Sequence, residues 1–116
     1  MPGLSVHAVD VTRGVPAAGM RIEVFALGAN RQKLADGLLA KSGALDHPIT
    51  STRLEPGTYE VVFHAGEFFS RHGVAQSNPP FFGEVPFRFT IADADQHYHL
   101  PMKMTPWGYS CFRGGA

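Results

Sequence analysis

The chain has one cysteine, Cys111, and one tryptophan, Trp107. A lone thiol closes no internal disulfide, so stability has to come from packing, and a reducing compartment fits. Charge is sparse as well. Only 17% of the residues are charged, and ten Lys+Arg balance ten Asp+Glu. Without net charge there is no footprint for nucleic acid or for an anionic membrane surface. No apolar run is long enough to span a bilayer. The opening Met1-Pro2-Gly3-Leu4-Ser5-Val6-His7 lacks a basic stretch followed by an apolar one, so no secretory signal is expected and the cytoplasm is the expected location. Repeats, linkers and low-complexity segments are also missing. At 116 residues the chain reads as one domain, residues 1–116.

What is present points to short strands. Hydrophobic residues make up 44%, enough for a core, and thirteen Gly and nine Pro supply frequent turns. Near-zero charge leaves little repulsion between copies, which favours self-association. Six histidines in so short a chain are the main chemical resource.

Alternating apolar residues predict strands over Leu4–Asp10 and Met20–Leu27, with turns at Gly14–Pro16 and Gly28–Asn30. On the first strand Leu4, Val6 and Ala8 point one way, and Ser5, His7 and Val9 the other. Gln32–Ser42 reads as a weaker strand entering a loop at Gly43. Glu55-Pro56-Gly57 is a turn, followed by a strand over Thr58–His64. Glu67–His72 predicts a short helix stopped by Gly73, with a loop at Ser77–Pro80. Strands follow over Val85–Ile91, Gln96–Met104 and Tyr109–Arg113, separated by turns at Asp93–Asp95 and Pro106–Gly108. Seven or eight short strands with one helix predict an all-β, antiparallel β-sandwich.

His97 and His99 are two apart on a strand and therefore share a face, and His7 lies on the first strand. Three histidines could hold a catalytic Zn²⁺ with an open water position. Alternatively, imidazoles could activate water directly as general bases. Strand histidines also serve simply as half-buried packing residues. By pattern, His64 and His72 read as surface or helix-end residues, Trp107 as packing, and the Phe68-Phe69 and Phe81-Phe82 pairs as core and interface hydrophobes.

Leu4-Ser5-Val6-His7-Ala8-Val9-Asp10 with the Val15-Pro16-Ala17 turn resembles the opening of the transthyretin-related family. Gly57–Phe63 followed by Gly66-Glu67-Phe68-Phe69 resembles its central strand and short helix, and Phe81–Pro86 its next strand entry. The ending His97-Tyr98-His99-Leu100-Pro101 with Tyr109-Ser110-Cys111-Phe112-Arg113-Gly114 is similar to the 5-hydroxyisourate hydrolase branch. The resemblance implies two four-stranded sheets with one short helix. It implies a homotetramer, a dimer of dimers with sites at the interface, that binds a purine-derived small molecule. The implied reaction is metal-free and cofactor-free hydrolysis of the cyclic amide of 5-hydroxyisourate. His7 and His99 match the catalytic histidines, and Arg113 matches the arginine of the terminal motif.

Three departures from the family pattern bear on substrate. In Lys41-Ser42-Gly43-Ala44-Leu45-Asp46-His47, Ala44 stands where the family has an arginine, and Ala44 makes no charge-assisted contact. Asp46, His47 or Arg53 are candidates to reach in. Phe112 replaces a tyrosine, Gly115 stands where the closing serine would be, and Ala116 moves the terminus out by one. His97, Ala44, His47, Phe112, Gly114 and Gly115 are therefore the expected substrate-binding residues beside catalytic His7, His99 and Arg113. The expected function is hydrolysis of hydroxyisourate or an N-methylated analogue from methylxanthine breakdown. A non-catalytic carrier of small ligands is the alternative, and a metal hydrolase built on His7, His97 and His99 is a third reading.

Overall fold

The alternation read along the chain becomes two sheets facing each other across one apolar layer. The computed structural model describes residues 2–115, and Ala116 lies outside the described residues. Its elements are β1 (Gly3–Asp10), β2 (Val15–Pro16), β3 (Arg21–Leu27), β4 (Arg31–Leu38), a 3₁₀ turn at Pro48–Ser51, β5 (Gly57–His64), α1 (Ala65–Arg71), β6 (Glu84–Ile91), β7 (His97–Met104) and β8 (Tyr109–Cys111). One sheet has the order β2-β1-β7-β8 and the other β4-β3-β5-β6.

Leu4, Val6 and Ala8 of β1 and Leu100, Met102 and Met104 of β7 face inward. They meet Ile22 and Val24 of β3, Val61 and Phe63 of β5, and Phe68 and Phe69 of α1. All of these side chains are almost wholly buried. Burying one such large apolar side chain contributes about 1.5–3 kcal/mol. Asp10 is also fully buried, and it closes the turn after β1 by accepting from the Arg13 backbone N–H and from Arg13 Nε at 2.7 Å. No helix among the described residues is long and apolar enough to cross a membrane.

Several boundaries differ from the sequence reading. Val15 and Pro16, expected within a turn, form the edge strand β2, pairing with Val9 and Asp10. The helix starts at Ala65, two residues early, and Gly66 fits closely against Phe82 and Gly83, where a Cβ would meet backbone. β4 ends at Leu38, and β8 ends at Cys111, short of Arg113. His64 sits at a helix end as expected, but it is buried and not on the surface.

One pairing departs from the antiparallel rule. β1 and β7 run parallel, with Gly3 opposite His97, Ser5 opposite His99 and His7 opposite Pro101. Sequence alternation cannot report strand direction, because the period of two is the same either way. This register positions the site.

Candidate active site

The outer face of β1 carries Ser5 and His7, and the outer face of β7 carries His97 and His99, all half-buried. Parallel pairing brings the two rows together. Ser5 Oγ lies 2.8 Å from His97 Nε2 and 2.6 Å from His99 Nδ1. A third element is the loop at residues 39–47, which docks on β1. Ala8 N–H donates to the Gly43 carbonyl, Leu45 N–H donates to the Val6 carbonyl, and Ala44 bridges to His7. Gly43 adopts a left-handed φ of 86°, and a Cβ there would sit 2.6 Å from the Ala8 carbonyl oxygen and 3.1 Å from His7 Nε2. Only glycine lets the loop come this close. The close approach brings the Ser42 carbonyl oxygen to 2.7 Å from His7 Nε2.

These bonds commit specific ring atoms. A carbonyl only accepts, so His7 Nε2 carries a hydrogen and donates it to Ser42. Neutral His7 therefore has its lone pair on Nδ1. His99 is held through Nδ1, which leaves Nε2 as its open atom. Among the described residues neither open nitrogen has a hydrogen-bond partner. Burial, reinforced by the nearby His7 and His97 rings, holds His99 below the usual imidazole value, so its neutral, proton-accepting form persists.

The C-terminal segment folds back over this face. Gly114 N–H donates to the His99 carbonyl at 2.7 Å, and a Cβ on Gly114 would lie 2.9 Å from His99 Cδ2. Arg113 stacks on the Tyr98 ring at 4.0 Å and donates to Gln96 Oε1 and the His97 carbonyl rather than to either catalytic candidate. Phe112 and Gly115 are exposed beside it.

The other expected residues fall differently. Ala44 stands beside His7 on the docked loop. His47 caps the 3₁₀ turn, its Nδ1 accepting from the Ile49 N–H at 3.0 Å, so that nitrogen is already used. Arg53 is engaged by Glu55 and Asp95. Burial pushes the Cys111 thiol up to about 11, which makes it a poor nucleophile. Ser5 and the Ser42 carbonyl were missed from sequence. Ser5 shares a strand face with His7, but its link to His99 depends on the parallel register.

His7, His97 and His99 do not gather three donor atoms within 4.8 Å. Among the described residues Glu23, His64 and Glu84 do so, on the opposite sheet. A cavity of about 230 Å³ lies beside that set, lined by His64, Glu67, Gly83 and Glu84. His64 Nε2 pairs with Glu23 Oε1 at 2.7 Å, and Lys33 Nζ lies 2.9 Å from Glu23 Oε2. Glu23 thus ties β3 to β5 through His64 and to β4 through Lys33.

Comparison with known proteins places the chain. The family model described as HIUase/Transthyretin family matches residues 4–114. The chain is 41% identical to a 5-hydroxyisourate hydrolase of Deinococcus radiodurans, covering 97% of this chain and 96% of that one. It is 42% identical to 5-hydroxyisourate hydrolase 2 of Rhizobium meliloti, covering 96% and 94%. Among solved structures, Klebsiella pneumoniae 5-hydroxyisourate hydrolase superposes with a TM-score of 0.82 at 28% identity, covering 99% of this chain and 100% of that one. An (S)-allantoin synthase superposes with a TM-score of 0.89 at 31% identity, and the chain, covered over 97%, spans 43% of that longer one. With the same sandwich, the same near-full-length match and the paired histidines on the β1–β7 face, the chain belongs to the HIUase/transthyretin family.

Proposed function

We propose that this chain is a hydrolase that opens the cyclic amide of 5-hydroxyisourate or of an N-methylated analogue, in purine or methylxanthine breakdown. The observation that carries the reading is the pairing of His7 and His99 on one face, each with one nitrogen held and the other open. Amide opening needs a base to take a proton from water and an acid to protonate the departing nitrogen. Two fixed imidazoles supply both. The low basicity of His99 suits it to start as the neutral base. Arg113, a permanent cation at the edge of the face, is the candidate for stabilising negative charge on the attacked carbonyl oxygen. His97, Phe112, Gly114 and Gly115 line the approach.

Ala44 supports a methylated substrate. It bridges to His7 through the backbone, at the position where the family resemblance implies an arginine. A ring nitrogen bearing a methyl has no hydrogen to engage a polar partner, and a small apolar side chain leaves it room. Side-by-side turnover of hydroxyisourate and its trimethyl analogue tests this, with the analogue expected to be preferred. Ala44→Arg is expected to move the preference toward the unmethylated compound by about 10- to 100-fold, the range of one charge-assisted hydrogen bond. A strong native preference for hydroxyisourate overturns the methylated reading. Ligand binding without turnover above spontaneous decay would instead make the chain a carrier, the reading that the absent loop arginine favours.

The open face also bears on assembly. β6 and β8 each leave one edge unpaired, and Phe81, Trp107, Tyr109 and Phe112 expose aromatic surface nearby. Exposed edges and aromatic patches call for a partner. We place the working site in a cleft between copies of a homotetramer. Sedimentation showing a monomer at micromolar concentration would remove this part of the proposal.

A further inference from the structure

The geometry points to Ser5 as a positioning residue: its hydroxyl links His97 to His99 and holds His99 in the Nδ1–H form, with Nε2 open toward substrate. Ser5 Oγ touches both rings, at 2.8 Å from His97 Nε2 and 2.6 Å from His99 Nδ1. A hydroxyl has one hydrogen, so it cannot donate to both nitrogens. If each bond is made, at least one ring must donate to Ser5, and an arrangement in which both donate leaves the serine hydrogen without an acceptor among the described residues. Two polarities also give that hydrogen an acceptor. In one, His99 Nδ1–H donates to Ser5, Ser5 donates to His97 Nε2, and His99 Nε2 carries a lone pair. In the other, His97 Nε2–H donates to Ser5, Ser5 donates to His99 Nδ1, and His99 Nε2 carries hydrogen.

The first polarity is the one that survives catalysis. When neutral His99 takes a proton at Nε2, both of its nitrogens carry hydrogen, and Nδ1 must then be a donor. In the first arrangement Nδ1 already donates, so proton uptake reorients nothing around the ring. In the second, Ser5 would have to rotate and His97 would have to change tautomer. A base whose bonds are already set for its charged form meets less reorganisation in the transition state. His97 is then the terminal acceptor that fixes the direction of the serine proton, and its own hydrogen sits on Nδ1. The alternation brings Ser5 onto the His7 face, and the parallel register sets it opposite His99. The catalytic consequence rests on the hydrolase reading, whereas the tautomer assignment does not.

Long-range ¹⁵N–¹H correlation spectra of the full chain, labelled at histidine, read the tautomers directly. The expected native result is His99 protonated at Nδ1 and His97 protonated at Nδ1. Ser5→Ala is expected to release His99 toward the Nε2–H form and to lower kcat by about 10- to 100-fold with little change in KM, part of the general-base contribution. Ser5→Thr keeps the hydroxyl and restores both readings. His97→Phe removes the acceptor and frees the serine proton to point at His99 Nδ1, which is expected to raise the share of the Nε2–H form and supplies an independent variant should Ser5→Ala not fold. A native His99 protonated at Nε2, or a His99 tautomer that neither variant moves, overturns the assignment. Tautomers that shift as stated in a protein without turnover would retain the relay and refute the hydrolase.

Discussion

Replacing His99 by alanine is expected to lower turnover by about 10²- to 10⁴-fold, the usual contribution of a positioned general acid or base. The chain should still fold, because His99 lies on the outer, half-buried face of β7 while the neighbouring Tyr98 and Leu100 fill the core. His7→Ala is expected to cost a similar amount. The double variant should be little worse than either single one, since base and acid act as one unit in the proposed amide opening. Initial rates have to be corrected for spontaneous decay of the substrate. The native pH profile carries the same signature. Burial disfavours the charged ring, so His99 remains a base below the usual imidazole value near 6.5. Activity limited by this group is therefore retained as pH falls through that value and is lost only at lower pH. Unimpaired turnover in His99→Ala would refute the proposed chemistry.

Gly43→Ala is the second large effect expected, and it reaches the site through the backbone. The left-handed φ of 86° is strained for any residue with a Cβ, costing about 1–3 kcal/mol. The new methyl would also press on the Ala8 carbonyl oxygen, which already accepts from Ala17 N–H at 2.9 Å. That carbonyl is backbone in a paired strand and cannot give way cheaply. The total is about 2–4 kcal/mol, or a melting temperature lower by about 10 °C. Loop withdrawal carries the Ser42 carbonyl off His7 Nε2, which frees that ring to rotate and change tautomer. Turnover of the folded fraction should fall by about tenfold or more. A melting temperature unchanged from the native chain would mean that the loop tolerates displacement, and the tie to His7 would lose its importance.

The sandwich was readable because its strands keep a strict period of two. Leu4, Val6 and Ala8 face the core just as their alternation requires. Turn chemistry located Glu55-Pro56-Gly57, and β5 begins at Gly57. β2 was hidden because two residues carry no period, and Val15-Pro16 looks like turn composition. His7, His97 and His99 were legible as residues and as a shared face. Their linkage was not, since Ser5 meets His99 across 94 positions of sequence and only a parallel register brings the two together. The Ser42 contact was invisible for a related reason: it uses a carbonyl oxygen, and every residue has one. His47 illustrates the reverse. A histidine in a substrate-like loop invites a binding role, yet its Nδ1 serves the backbone of the next turn.

The parallel partnership of β1 with β7 also imposes an order of birth. The sheet β4-β3-β5-β6 draws all its strands from the middle of the chain, between Arg21 and Ile91. It can therefore assemble while synthesis continues. β1 emerges before that sheet but waits for His97–Met104, roughly 90 residues later, which is about 5 to 20 s of translation. During that wait the apolar row Leu4, Val6 and Ala8 lacks its β7 partner. Every contact between Ser5 and the two β7 histidines forms at the close of that interval, so this face is completed only after the strands of the other sheet have been made.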